Sequence, residues 1–421
     1  MNANLYNGKS RKLQLTSSAI LIFALSVLIL VQLYSFAITD WTIKQSEWSE
    51  KIYAYKYAAL NAIIVLARLS MLFAMALVMF RYSVRDSYGA VYTFLLLLFC
   101  SAHTLLAMFD RGFGTTLYST NLPLNYLLVL GFFVGARGTS WPKLKRFILP
   151  FALIYLAGFT FEFVTSYVRY GWVIYQNSSL MAYFSNAFWL VVTMIYIRIS
   201  EKKTGFLLYL FPTILLIGAV IIRARSWVIQ AALLLVITVI AAVWSKRKGS
   251  FRIIRILILT AVLFAVAAII LSNYFGTFWE SVLDKGVKDT RSIQYVEIFS
   301  QTPWYKWILG QGMTATYQSS YYGEYSSIDN QFVYMSFHYG VIFALLYFVP
   351  YLVAIFKAWK ARKTAPTLLL GAVLILLWLF SVNGLSIFNG IVLDVKSFLM
   401  PFLAGHIYQI SKESLQSKEV G

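Results

Sequence analysis

The chain has 421 residues, of which 60% are hydrophobic and only 12% are charged. A soluble domain carries about twice that charged fraction, so the composition excludes an ordinary soluble enzyme and indicates a protein of the lipid bilayer. The first apolar run, 15–38, is long enough to cross a bilayer and lacks a small-residue cleavage site after it. We therefore interpret it as a spanning helix and not as a signal peptide.

The hydrophobic segments predict an all-α polytopic membrane protein with about twelve transmembrane helices, in one membrane domain over 1–421. The predicted spans are 15–38, 58–80, 88–109, 120–136, 147–166, 180–197, 206–222, 226–244, 253–275, 331–356, 366–389 and 391–410.

The net charge of +20 would suggest a nucleic-acid partner in a soluble protein, but its distribution indicates topology instead. If the N-terminus is cytoplasmic, every second connection is cytoplasmic too. Those segments, with the span ends beside them, hold 23 of the 36 basic residues and four of the 16 acidic ones. Because cytoplasmic loops are enriched in Lys and Arg, this asymmetry predicts that both termini lie in the cytoplasm. No nucleic-acid binding is expected.

The sequence predicts neither a metal nor a cofactor. Cys100 is the single cysteine, which excludes an intramolecular disulfide, and its apolar surroundings predict a small core residue. The histidines His103, His338 and His406 fall in different predicted spans, and no His/Cys cluster has metal-ligand spacing. There is also no Gly-rich phosphate loop with its lysine.

The longest connection, 276–330, lies outside by the alternation of spans. Loops longer than about 15 residues are usually functional or disordered, and the many aromatic residues of this one argue against disorder. We expect it to form short helices resting on the membrane face. One is predicted over 289–301, ended by Pro303, in which Arg291 neighbours Gln294 and Tyr295.

Three of the arginines on the predicted outer side, against the charge bias, are candidates for a binding site. Arg223 and Arg225 lie between spans seven and eight, and Arg291 lies in the long loop. They either extend to lipid headgroups or form an anion site, because a guanidinium fits phosphate bidentately. Residues two apart on a helix point about 200° apart, so Arg223 and Arg225 can share a ligand only across a non-helical turn. In mid-span, Arg68 needs compensation, and Glu162 is a candidate partner.

Polar residues gather where the tenth predicted span begins. Asp329 and Asn330 are candidates for a helix N-cap, and Asp329 alone is also a candidate general base for a sugar hydroxyl. Gln331 and His338 are seven residues apart and share a helix face. His338 is either a ligand of the substrate or a hydrogen-bonded core residue.

Two further features of the long loop point towards binding. Gly310 and Gly312 permit a tight turn at which backbone can approach a ligand closely. The aromatic residues, among them Tyr295 and Trp304, either stack on sugar rings or form an interfacial belt.

These motifs occur in the order found in a known family. They are Arg225-Ser226-Trp227 before a spanning helix, Arg291 followed by an amphipathic stretch to Phe299, the Leu309-Gly310-Gln311-Gly312 turn, and Asp329-Asn330-Gln331-Phe332 with Tyr339-Gly340-Val341. Over about 206–356 the chain resembles the O-antigen polymerase and ligase superfamily of bacterial membrane glycosyltransferases. Elsewhere the resemblance extends only to helix number and topology.

The resemblance implies a C-type glycosyltransferase fold in the bacterial inner membrane, acting at the outer face on glycans carried by undecaprenyl pyrophosphate. It implies no metal, nucleotide or other cofactor, and a chain-length regulator as a further partner. Arg225 and Arg291 would hold the pyrophosphate with Arg223 in support, and Asp329 with Arg291 would be catalytic. The residues expected to contact the glycan are Tyr295, Trp304, Asn330, Gln331 and His338.

Two alternatives remain open at this point. The ligase branch of the superfamily carries His-Asn at the mouth of this helix, whereas Asp329-Asn330 stands here, which favours a polymerase. A flippase or other transporter would concentrate its ionisable residues near the membrane midplane on broken helices. In this sequence they concentrate at the outer surface.

Overall fold

The computed structural model describes residues 17–33, 58–119, 122–138, 140–170, 178–203, 205–222, 224–245, 290–363, 365, 367–385 and 392–419. The helices of the first half are α1 (Ser17–Leu33), α2 (Ala58–Ser83), α3 (Ser87–Arg111), α4 (Phe113–Tyr118), a 3₁₀ helix (Pro123–Leu130) that continues as α5 (Gly131–Ala136), α6 (Trp141–Tyr170), α7 (Ser178–Ser200), α8 (Leu207–Ile222) and α9 (Arg225–Ser245). The second half comprises α10 (Thr290–Gln301), α11 (Trp304–Leu309), the strands β1 (Tyr317–Ser319) and β2 (Gly323–Tyr325), α12 (Gln331–Tyr339), α13 (Val341–Ala361), α14 (Thr367–Phe380) with a π-helical turn (Ser381–Leu385), and α15 (Val395–Glu419).

The predicted all-α membrane architecture is confirmed in outline. Within the described ranges, five helices are long and apolar enough to cross a membrane: Val65–Ser83, Ser87–Arg111, Trp141–Phe161, Val341–Ala361 and Thr367–Gly384. Shorter apolar helices occur at four more predicted spans, and α7 and α15 are helical at two others. The predicted span 253–275 lies outside the described residues, so a total of about twelve stays a prediction.

The prediction of a single tenth span over 331–356 is wrong. Helix α12 ends at Tyr339, and α13 begins at Val341. Between them Gly340 has φ +94°, a conformation outside the helical range that a residue without Cβ adopts readily. A short antiparallel hairpin, with Tyr317 opposite Tyr325, is a further feature that the sequence did not predict.

Helix α15 is central to the described bundle and packs against α5, α7, α13 and α14. Its contact with α5 is made by backbone. A Cβ on Gly405 would lie 1.9 Å from the Phe132 carbonyl oxygen, and one on Gly135 would lie 2.0 Å from that of Phe402. Such close approach through small residues is typical of helices in membranes, where packing and not apolar burial drives association.

One end of the bundle, called the basic end, is joined by polar contacts between helix termini. Arg137 Nη2 lies 2.9 Å from Asp86 Oδ2, and Lys145 Nζ lies 2.5 Å from Glu201 Oε1. Hydrogen bonds from Lys145 and then Lys203 hold the pKa of Glu201 below its usual value. The sequence predicts that this end faces the cytoplasm.

Candidate functional site

A compact cap lies at the other end of the bundle; it comprises residues 290–339 and contains α10, α11, the hairpin and α12. Three contacts join it to the first half of the chain. Thr314 Oγ1 donates to Asp110 Oδ2 at 3.1 Å. His103 Nε2 lies 3.0 Å from the Tyr339 carbonyl oxygen, and Gln331 Nε2 donates to Tyr126 Oη at 3.2 Å. The described part of the long loop is therefore folded, as its composition predicted.

Two of the sequence motifs are brought into direct backbone contact within the cap. A Cβ on Gly310 would lie 2.5 Å from the His338 carbonyl oxygen, and one on Gly340 would lie 2.3 Å from that of Ile308. Gly312 N also donates to the His338 carbonyl oxygen at 2.8 Å. The close approach expected of Gly310 towards a ligand is thus made towards the end of α12 instead. A Cβ on Gly312 would have no neighbour within 4 Å.

The predicted helix after residue 289 is confirmed as α10, and Gln294 joins it to the segment that carries Asp329. Its amide nitrogen donates to Tyr317 Oη at 2.6 Å and to the Ser327 carbonyl oxygen at 2.9 Å. Its amide oxygen accepts from the backbone nitrogen of Asp329 at 3.3 Å. Arg291 lies one turn earlier on the same face of α10, so the two predicted catalytic positions belong to one hydrogen-bonded unit.

The carboxylate of Asp329 is half-buried beside two tyrosines of the hairpin. Burial is the main cause that raises the pKa of Tyr317 to about 12, and the charges of Glu297 and Asp329 add to it. Burial also raises the pKa of Tyr325, again with a contribution from Asp329. Both phenols stay protonated at neutral pH and are potential hydrogen-bond donors next to the candidate base.

The two residues after Asp329 have structural partners. Asn330 is the N-cap of α12, and its side-chain oxygen accepts from Val333 N at 3.0 Å, which confirms the capping prediction. The next amide, Phe332 N, donates to Asn383 Oδ1 of the π-helical turn at 2.8 Å. Gln331 is buried against Tyr126. Any contact of Asn330 or Gln331 with a glycan would have to replace or share these bonds.

His338 is fully buried and joins two loops of the cap. Its Nδ1 lies 2.9 Å from the Gly312 carbonyl oxygen, and its Nε2 lies 3.1 Å from that of Ser326. Burial is the main cause that lowers the pKa of His338, and the two carbonyl contacts oppose it. The neutral ring donates to only one of these oxygens, whereas the protonated ring donates to both. In this conformation the structure places His338 as a core residue, which is the second of the two interpretations drawn from the sequence.

The two candidate aromatic residues differ in exposure. Tyr295 is half-buried against the core, whereas Trp304 is 76% exposed and contacts only Tyr305 among the described aromatic rings. Its neighbour Trp307 instead stacks on Phe299 with centroids 4.7 Å apart. Trp304 is therefore accessible either to a sugar ring or to lipid headgroups.

The predicted arginine clamp is located by its backbone alone. Arg291 lies in the first turn of α10, and Arg225 begins α9. Their side chains, and all of Arg223, lie outside the described residues. An arginine that the sequence reading overlooked is Arg111, at the end of α3, whose charge acts on Tyr334 and His338. Its place at the outer end of a predicted span was the signal that could have found it.

A buried polar cluster within the helix bundle was also overlooked. Lys396 Nζ pairs with Asp394 Oδ2, and both side chains are at most 3% exposed. Asp394 Oδ1 accepts from Ser397 N at 3.0 Å, and Asn186 Oδ1 accepts from Lys396 N at 3.1 Å. Gln32 accepts a hydrogen bond from Tyr155, whose phenol lies within electrostatic reach of Asp394. Helices α1, α6, α7 and α15 thus meet around one ion pair.

Two predictions about the spans have separate outcomes. Cys100 is buried, as expected of a small core residue. Arg68 Nε is buried and has no hydrogen-bond partner among the described residues, while the side chain of Glu162 lies outside them. The proposed pair of Arg68 and Glu162 therefore stays a prediction.

Within the described ranges, no group of three or more His, Cys, Asp or Glu side chains could hold a metal ion. No protein-family model, curated protein or solved structure matches this chain. The class of protein defined by fold and site is accordingly a helical membrane protein with a folded cap at one end of its bundle.

Proposed function

We propose that this chain is a membrane glycosyltransferase that lengthens a bacterial surface polysaccharide of the O-antigen or capsule type. The observation that carries the proposal is the convergence of separated motifs in one cap. The helix of Arg291, the turn at Gly310 and the helix start at Asp329 all join the same hydrogen-bonded unit. They lie at the end of the bundle opposite the basic end, where the donor and acceptor lipids would present their glycans.

The proposed reaction transfers the growing glycan from undecaprenyl pyrophosphate to a hydroxyl of another lipid-linked repeat unit. Asp329 accepts the hydroxyl proton, the oxygen forms a bond to the anomeric carbon, and the bond from that carbon to the pyrophosphate oxygen breaks. The electron pair leaves with the pyrophosphate. Arg225 and Arg291 would stabilise that developing charge, and this chemistry uses no nucleotide.

The arginines would act through geometry as well as charge. A guanidinium donates two parallel hydrogen bonds to a phosphate, whereas a lysine keeps the charge and loses this planar fit. A charge-assisted hydrogen bond is worth about 1.5–3 kcal/mol. If it forms fully only as the pyrophosphate leaves, its loss slows turnover about 10- to 150-fold.

The test is purified protein in lipid vesicles with an undecaprenyl-pyrophosphate repeat unit, scored for a ladder of longer glycans. We expect a ladder with the wild type and a strongly reduced one with Arg291→Lys. Arg362 is the matched control, because it is half-buried at the basic end, away from the cap, and lies over Trp359, and Arg362→Lys should leave the ladder unchanged. A wild type that makes no ladder, or an Arg291→Ala variant with full activity at normal expression, would refute the assignment.

A transporter of lipid-linked sugars is the second candidate, and the pair of Asp394 and Lys396 is the observation that favours it. Tyr155 and Asn186 each lie fourteen residues along their helix from the basic end, which at 1.5 Å per residue is about 21 Å. With the basic end at the cytoplasmic membrane surface, as proposed, the pair would lie within the bilayer core, which is about 30 Å thick. Ionisable residues at such depth often mark transport pathways. Movement of a labelled lipid-linked sugar across the vesicle membrane without chain growth would support this candidate.

A further inference from the structure

We propose that Gln294 is the positioning residue of the transfer site, holding Asp329 in register with the helix of Arg291. The inference rests on the proposed function and adds a residue to which the resemblance to the polymerase and ligase superfamily assigns no role. Gln294 does not touch the substrate in this proposal. It acts through the two groups that do.

The hydrogen-bonding capacity of Gln294 is directed to one short segment. Both amide hydrogens have acceptors, in Tyr317 Oη and the Ser327 carbonyl oxygen, and the amide oxygen accepts from Asp329 N. Tyr317 Oη in turn lies 3.3 Å from the same Ser327 carbonyl oxygen. These bonds fix the position of residues 327–329 relative to α10. Asn330, the next residue, caps α12, so the bonds of Gln294 also fix where α12 begins relative to α10.

The position of Gln294 on its helix gives these bonds their proposed consequence. It lies three residues after Arg291, on the same face of α10. A shift of residues 327–329 against α10 would therefore change the separation between the base and the guanidinium. Misplacement of a catalytic group by about 1 Å can lower a rate about a hundredfold.

The chain supplies a matched control on the same helix. Gln301 also binds backbone with both ends of its amide, donating to the Gln318 carbonyl oxygen and accepting from Gln318 N, each at 2.8 Å. It attaches the exposed hairpin and lies ten residues from Arg291, about 15 Å along the helix. Loss of either glutamine removes comparable hydrogen bonds, but only Gln294 holds the segment of Asp329.

Hydrogen exchange in the full-length protein tests the structural half of the proposal. In Gln294→Ala we expect amides of residues 327–330 to exchange about tenfold faster or more, with a smaller acceleration near Gln318. In Gln301→Ala the acceleration should be confined to residues near Gln318. Unchanged exchange at 327–330 in Gln294→Ala would overturn the proposal, whether or not the wild type makes polymer.

Kinetics of chain growth test the functional half. Gln294→Ala should lower kcat about ten- to a hundredfold at unchanged KM for the lipid-linked donor, and Gln301→Ala should leave kcat unchanged. Equal kcat in both alanine variants, or a raised KM with kcat unchanged in Gln294→Ala, would exclude the positioning role while leaving the polymerase assignment standing. If the wild type makes no polymer, the proposed function fails and the role in catalysis fails with it.

Discussion

Substitution of the two glycines where α11 crosses the end of α12 should open the cap. In Gly310→Ala the new methyl would lie 2.5 Å from the His338 carbonyl oxygen, a backbone atom that no side-chain rotation can move. The turn at Gly310 must therefore move away from the end of α12. That movement weakens two hydrogen bonds, from Gln311 N to the Phe337 carbonyl oxygen at 3.0 Å and from Gly312 N to the His338 carbonyl oxygen at 2.8 Å. Each bond contributes about 0.5–1.5 kcal/mol. Backbone strain at φ +84° adds about 1–3 kcal/mol.

Gly312→Ala is the control for backbone strain alone. It has φ +95°, and a Cβ there would meet no atom within 4 Å. The difference between the two variants therefore isolates the steric term, about 1–3 kcal/mol from two weakened hydrogen bonds. Hydrogen exchange of cap amides in detergent should show about tenfold or greater acceleration in Gly310→Ala relative to Gly312→Ala. Gly340→Ala should accelerate exchange as much as Gly310→Ala does. In the double variant the loss of stability should be less than the sum of the two single losses, because one movement of the turn away from α12 relieves both clashes. Equal protection in Gly310→Ala and Gly312→Ala would refute the crossing.

Three further predictions concern other parts of the molecule. Lys396→Met leaves the buried carboxylate of Asp394 unpaired and should destabilise the protein by about 3–5 kcal/mol, whereas the double variant Asp394→Asn/Lys396→Met should unfold near the wild-type temperature; a double variant as unstable as the single one would contradict this. The lowered pKa of Glu201 contributes stability above its ordinary pKa of 4.5 that fades as the pH falls through the folded value. The melting temperatures of wild type and Glu201→Gln should therefore differ at pH 7 and converge as the pH falls below 4.5 through the folded pKa. A constant difference between them would rule out the charge effect. If Trp304 stacks on a sugar, chain growth should fall severalfold in Trp304→Leu and survive in Trp304→Phe, since an aromatic contact is worth about 0.5–1.5 kcal/mol; equal rates in both would assign it to the interfacial belt.

Local patterns in the sequence predicted local structure well. The helix at 289–301 and its end before Pro303 followed from helical spacing and the missing amide of proline, and the cap at Asn330 followed from the short side-chain acceptor. The apolar runs likewise located the long helices. Each of these inferences depends on residues a few positions apart.

Local sequence patterns could not predict contacts between segments that are distant in the chain. Nothing near Gly340 in the sequence shows that the turn at Gly310 crosses it, so the break between α12 and α13 was read as continuous helix. His338 could not be assigned either, because its partners Gly312 and Ser326 are carbonyl oxygens that every residue possesses. A hydrogen bond to backbone leaves no mark on residue type at the accepting position.

The pair of Asp394 and Lys396 was missed, although both residues fall within the predicted span 391–410. Two opposite charges two residues apart do not reveal from sequence alone which other helices surround them. In the structure the pair is enclosed by α1, α6, α7 and α15, and the nearby Gln32, Tyr155 and Asn186 belong to helices distant in sequence.

The two candidate functions require different parts of the structure, one the cap and the other the buried ion pair. A polymerase needs the cap, because the reacting hydroxyl and pyrophosphate meet there, and it needs the ion pair only to hold α15 in place. A transporter needs the buried charges themselves, since the passing ligand must exchange with them. Replacement of a buried ion pair by neutral residues is often tolerated by the fold. The double variant Asp394→Asn/Lys396→Met, once shown to be stably folded, should therefore retain chain growth if the chain is a polymerase. The same double variant should lose lipid translocation if the chain is a transporter. Assaying this one stable variant for both activities therefore distinguishes the two assignments.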